Sequence, residues 1–170
     1  MKRMWSPWRS AYIETFKSPP KKKSKKSIFT LALEENEDDK HFIIWRGKYC
    51  FVIMNLYPYN NGHLMVVPHA HVASLTELAP SQRAELGELT MHCEQVLRHA
   101  MRPDGFNIGL NLGSAAGAGI AEHLHVHIVP RWEGDTNYMT VVGEIRVMPQ
   151  HIDHTYALLV PYFQTLLKGT

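Results

Sequence analysis

The chain has 170 residues, 45% hydrophobic and 20% charged, the size and mix of one compact domain with its own core. A formal net charge of +2 with both signs interspersed gives no footing for a nucleic-acid or anionic-membrane partner. No run approaches the roughly 18 apolar residues of a membrane-spanning helix, and the opening MKRMWSPWRS lacks the apolar stretch of a signal peptide, so a soluble, cytoplasmic protein is expected.

In chain order, residues 1–16 interleave aromatic and charged side chains without a long period and read as an arm laid over the body or over a partner subunit. Lys17 to Lys26, with its prolines and like charges, reads as a solvated loop. The role of the lysines between Lys21 and Lys26 stays open. A short helix is expected from near Ile28 into the acidic run Glu34 to Lys40. HFIIWRG and YCFVIMN are rich in β-branched and aromatic residues and flank Gly47-Lys48, which predicts a hairpin. LYPYNNGH turns the chain, and LMVVP makes a third strand ending at Pro68. From Ser81 to Met101 the apolar residues Leu86, Leu89, Val96 and Leu97 recur near helical spacing, with Pro80 at the first turn and Pro103 past the end. This predicts one long helix.

GFNIGLNLG, Gly105 to Gly113, alternates as a strand, the Gly-rich GSAAGAGI bends back, and HLHVHIVP returns antiparallel to it. After Trp132 the pattern dissolves until HTYALLVPYFQTLLK, a terminal helix interrupted or started late by Pro161. The architecture expected is α+β: an antiparallel meander sheet of about five strands with helices on one side. It forms one domain over 1–170, with an N-terminal arm over 1–26 and a C-terminal extension over 133–170. Cys50 and Cys93 have no metal-motif spacing and are expected to be buried free thiols.

The unusual feature is EHLHVHIVPRW. On a strand, His123, His125 and His127 share one face while Leu124, Val126 and Ile128 line the other. Same-face neighbours stand roughly 6.6 Å apart, so His123 and His127, about 13 Å apart, do not easily share one metal ion; two of the rings with a distant ligand could. Core histidines satisfied by backbone groups are the ordinary alternative. The third reading is a row of imidazoles along a polyphosphate, in which one ring attacks phosphorus while its neighbours donate hydrogen bonds to oxygens. The adjoining GAGI, Gly117 to Ile120, can offer backbone N–H groups to such an anion.

HLHVHIV, together with NNGHLMVVPHAHV, GFNIGLNLG and GAGIAEHLHVHIVPRW in that order over residues 41 to 132, resembles the histidine-triad (HIT) family of nucleotide hydrolases and transferases. The flanking WEGDTNYMTVVGEIRVMP and MWSPWRSAYI look like a bacterial branch that includes diadenosine tetraphosphate phosphorylases. The resemblance implies that His125 is the nucleophile, attacking an α-phosphate to form a nucleotidyl-histidine. It also implies that His127 holds phosphate oxygens, that His123 orients the nucleophile's surroundings, and that His63 joins the pocket. Asn55 and Asn111 match positions that contact ribose or phosphate, and Ala118, Gly119, Ile120 and Ala121 match the phosphate-binding loop. Dinucleoside polyphosphate cleavage to water or inorganic phosphate is the activity implied. Nucleoside phosphoramidate hydrolysis, a non-catalytic adenine-nucleotide-binding module and a metal-dependent hydrolase using His123 and His125 are the alternatives. Several relatives carry Cys-x-x-Cys, which with a Pro-x-x-His histidine and the first triad histidine binds structural zinc. Here Ser27 and Thr30 stand in the corresponding SIFT, so no structural metal is expected, any divalent ion would arrive with the substrate, and His71 is expected to be an ordinary surface or loop histidine. The family fold dimerises edge to edge, which makes a homodimer the expectation.

Overall fold

The computed structural model describes residues 26–136 and 150–167. The aromatic arm, most of the lysine-rich loop and residues 137–149 of the C-terminal extension lie outside them.

Helix α1 (Ile28–Glu35) starts where Ser27, in extended conformation, accepts the Thr30 N–H, and stops where Asn36 turns left-handed. A single turn, α2 (Asp38–His41), leads into β1 (Ile43–Arg46) and β2 (Cys50–Met54), the expected hairpin. Strand β3 (Leu64–Pro68) follows, then the long helix α3 (Pro80–Met101), which buries Leu86, Leu89, Cys93, Val96 and Leu97. β4 (Gly105–Gly109) and β5 (Val126–Arg131) pair antiparallel, and α4 (Ile152–Leu167) closes the described chain. Cys50 and Cys93 are buried free thiols.

All pairings are antiparallel, and the strand order is β1-β2-β3-β5-β4. Past β3 this is not a plain meander. The chain leaves the sheet through α3, lays β4 on the outer edge, and the Gly-rich turn brings β5 back between β4 and β3. Both late strands are shorter than the alternation predicts. The β3–β5 ladder ends at Val66–Val126, after which Leu124 N–H reaches the Val72 carbonyl at 2.7 Å, so His123 and His125 lie on an extended lead-in, not within β5.

The expectation of helices on one side is corrected. β2 and β3 are apolar on both faces and buried throughout, so each face needs a cover. α3 and α4 cover Cys50, Val52, Met54, Leu64 and Val66. Phe29 and Ala32 of α1 cover Phe51, Ile53, Met65 and Val67 on the opposite face. α4 also continues past Pro161. An interior proline costs a helix about 3 kcal/mol, but Leu159 and Phe163 are fully buried on its inner stripe, each contributing roughly 1.5–3 kcal/mol. Burial therefore wins over the local break.

Candidate active site

Directly opposed residues on antiparallel strands share a face, and the register Met65–His127–Gly109 puts His127 on the face that α1 covers, where the Phe29 ring of α1 meets His123 and His125. His63, one residue ahead of β3, arrives there through the turn 55–62. That turn is held from two sides. Asn60 Nδ2 donates to the Pro130 carbonyl at 3.1 Å and to Asp135 Oδ2 at 2.7 Å, and Asp135 is clasped by Arg131. Gly62 adopts φ 73°, a left-handed conformation that favours glycine, and a Cβ there would also push on the flexible end of Met101.

The hydrogen bonds fix which nitrogen of each ring carries the proton. A carbonyl only accepts, so the 2.8 Å contact from His125 Nδ1 to its neighbour's backbone, His123 O, places the proton on Nδ1 and leaves the Nε2 lone pair of the neutral ring free. Nε2 has no hydrogen-bond partner among the described residues. The Tyr59 N–H must donate, so His63 Nδ1, 3.0 Å away, accepts and the proton sits on Nε2. His63 Nε2 then donates to His127 Nδ1 at 2.9 Å, which leaves His127 with a proton on Nε2. Two adjacent rings, 4.8 Å apart and edge to face, thus hold opposite tautomers: a lone pair on His125 and an N–H on His127.

Burial favours the neutral state of these rings. It pulls His123 and His125 below the ordinary histidine range, and burial followed by the charge of His125 takes His127 down to about 4. The site is tighter than an open cleft. His125 is only 5% exposed, packed between the Phe29 ring at 5.3 Å and His127.

The other expected residues fall into two groups. Gly117 takes φ 85° and Ala118 N–H turns inward to the Gly113 carbonyl, so Ala118 is spent on the loop itself. The N–H groups of Gly119, Ile120 and Ala121 have no partner among the described residues and run directly into the triad, while Ile120 anchors the loop against the α1 cluster. Asn55 braces His63: its N–H reaches the His63 carbonyl, and its Oδ1 accepts the Tyr57 N–H at 2.9 Å. Asn111 is half-buried two residues past β4, with no side-chain hydrogen bond among the described residues.

Three neighbours were not foreseen. Tyr59 stacks on His63 and His127 at 4.8 and 5.6 Å, and Phe29 sets its ring against His123 and His125. Ser27 Oγ lies 2.5 Å from His123 Nδ1. Of the three, only Ser27 stood out in the sequence, and only as the residue at a position where relatives carry a zinc-binding cysteine. Tyr59 acts through its ring and through its backbone N–H, and the latter contact no residue type signals.

The residues at the zinc positions do come together. Ser27 Oγ is 3.1 Å from Thr30 Oγ1, and the His71 ring stacks on His123 at 4.9 Å. His71 is exposed as expected, yet it is a packing partner and not idle. The set does not fit a zinc ion. It offers two neutral hydroxyls where thiolates bind best, and ligand atoms around one tetrahedral zinc stand roughly 3.3 Å apart, whereas Ser27 Oγ and His123 Nδ1 are in direct contact. Among the described residues, three side chains of metal-binding type approach one another only at Glu35, Glu37 and His41, where Lys40 already bridges both carboxylates.

Residues 36–134 match the HIT domain family. The chain belongs to it. This HIT protein is 42% identical to an AP-4-A phosphorylase of Mycobacterium tuberculosis over 94% of its own length and 83% of that relative. It is 33% identical to an asymmetrical bis(5'-nucleosyl)-tetraphosphatase of Schizosaccharomyces pombe over 55% of the chain and 50% of that protein. The crystal structure of a Zn-bound histidine triad family protein from Mycobacterium smegmatis superposes with a TM-score of 0.68 at 23% identity, covering 85% of this chain and 98% of that one. That likeness shows the fold.

Proposed function

We propose that this HIT protein is an enzyme that cleaves dinucleoside polyphosphates of the diadenosine tetraphosphate kind at the α-phosphate, through a nucleotide bound covalently to His125. The observation that carries the reading is the pair of opposite tautomers 4.8 Å apart. The Nε2 lone pair of His125 attacks the α-phosphorus as the bond to the bridging oxygen breaks. His127 Nε2–H donates a hydrogen bond to that oxygen as it gains charge; a nucleoside polyphosphate leaves as an anion and needs no full proton transfer. Water or inorganic phosphate then attacks the same phosphorus, the P–N bond breaks and His125 recovers its lone pair, with the proton of a water acceptor passing to solvent. Gly119, Ile120 and Ala121 supply N–H groups for the phosphate oxygens, and Asn111, with its amide uncommitted, takes a ribose or phosphate contact. Asn55 shapes the same pocket through His63.

The two relatives named for tetraphosphate chemistry support this substrate class over nucleoside phosphoramidates. Two buried free thiols support a reducing, cytoplasmic location, and among the described residues no helix is long and apolar enough to cross a membrane. A homodimer is supported by β4, a sheet edge that pairs with no further strand among the described residues and carries Ile108 at 45% exposure, with Leu112 just past it at 42%; light scattering at micromolar concentration checks it. The deciding experiment mixes enzyme with α-labelled diadenosine tetraphosphate, quenches, and locates phosphorus on the chain. Label on His125 supports the mechanism, and product assays with and without phosphate identify the acceptor. Binding without label would leave only a nucleotide-binding module.

A further inference from the structure

The N-cap of α1 touches the triad, and elementary proton accounting gives that contact a direction. The Pro68 carbonyl takes the proton of His123 Nε2 at 2.8 Å, so Nδ1 of the neutral ring can only accept. The 2.5 Å bond is therefore Ser27 O–H donating into His123 Nδ1. The same oxygen accepts the Thr30 N–H at 3.2 Å and has Thr30 Oγ1 at 3.1 Å. One bond donated and two within reach to accept exhaust a hydroxyl. Ser27 and His123 are buried, 3% and 0% exposed, so no water competes at this point. His123 in turn lends its carbonyl to His125 Nδ1. Two hydrogen bonds, one to the ring of His123 and one to its backbone carbonyl, are thus joined through the covalent frame of that residue between the start of α1 and His125, and Phe29, two residues on from Ser27, packs on both rings.

We propose that Ser27 is a positioning residue of this site, joining α1 to the triad by a hydroxyl-to-imidazole hydrogen bond that holds His123, and through its carbonyl His125, without a metal ion. The proposal rests on reading His125 as the nucleophile. Capping and positioning make different demands of position 27. A helix cap needs an acceptor, and glycine serves at that position nearly as well as serine. The bond to His123 needs a donated proton, which serine and threonine have and glycine lacks. Without it the buried Nδ1 lone pair is orphaned and His123 keeps one hydrogen bond, to the Pro68 carbonyl, about which its ring can shift; a displacement of about 1 Å near the reacting atoms is enough to slow chemistry by roughly 100-fold.

The test compares Ser27→Thr with Ser27→Gly in the full-length protein, measuring melting temperature, KM, and the rate at which label reaches the enzyme from diadenosine tetraphosphate. Ser27→Thr is expected within about threefold of the parent, and Ser27→Gly about 10- to 100-fold slower in the labelling step with a smaller change in KM. Equal rates in all three proteins would overturn the proposal. Should Ser27→Gly fail to fold, nitrogen-15 spectra of the histidines in the unaltered protein decide: a proton on His123 Nε2 with a hydrogen-bonded Nδ1 is expected, and the opposite tautomer counts against it. Metal analysis of the purified protein is expected to find no stoichiometric zinc; one zinc per chain, removed only with loss of the His123 tautomer, would sink the idea. If the unaltered protein never takes up label, the functional reading fails, while the spectra and metal analysis still decide the Ser27 bond.

Discussion

The two faces of the central sheet are built to different rules. Under α3 and α4 the face is Val52, Met54, Leu64, Val66 and Ile128, whose side chains pack without polar partners. Under α1 the β2 half is equally apolar, but the β5 side carries His123, His125 and His127, and their ring nitrogens are held by Pro68, Ser27, His123 O and His63. Non-directional burial gives the first face stability that tolerates modest repacking. The second face spends its burial on orientation, because a desolvated imidazole without its partner is costly and with it has one tautomer. Among the described residues, His125 Nε2 and His127 Nε2 are the two ring nitrogens left out of that scheme, which makes this pair the place where the second face can meet a ligand.

The sharpest way to break the contrast is His125→Asn. Label uptake and turnover are expected to fall by about a thousandfold or more, with nucleotide binding and melting temperature nearly unchanged. A variant that kept most of its activity would put the nucleophile elsewhere. The opposite pattern is expected on the other face: Leu159→Ala should cost about 2–5 kcal/mol of unfolding free energy in denaturant titrations, while activity per folded molecule stays near the parent's.

Acid should act on the histidine face first. Because folded His127 binds its proton only near pH 4 and the unfolded ring near 6.5, the unfolded state gains protons first as pH falls. That ring's contribution is fully present above about pH 6.5 and is lost progressively between there and about 4, up to roughly 3 kcal/mol, with His123 and His125 adding in the same direction. Urea midpoints measured across that window check it, and a midpoint that rose on acidification would contradict it. The acid limb of kcat/KM is expected below pH 6.5 for the same reason. The smallest effect expected is that of His63→Leu, which leaves the Tyr59 N–H without its acceptor and His127 Nδ1 without its donor. Turnover should drop about 10- to 100-fold, with a stability loss of roughly 1–3 kcal/mol, read from steady-state kinetics and melting curves.

Much of this was legible in the chain itself, because the signals are local. Alternation at 123–128 marks three rings for one side of the chain, although only His127 lies on β5 itself, the β-branched runs announce β1, β2 and β3, and Pro80 with the leucine spacing announces α3. The strand order, the second cover by α1 and the passage of α4 through Pro161 depend on partners distant in sequence, and no period of two or 3.6 records them. The same holds for the site: the alternating histidines at 123, 125 and 127 suggested the chemistry and the family resemblance added His63, but the proton on each ring is set by Tyr59 N–H, the Pro68 carbonyl and a serine 96 positions away. Local covalent geometry decided which side chains share a face, and only the packed chain, by bringing donors to acceptors across long sequence separations, decided which nitrogen of each is free to react.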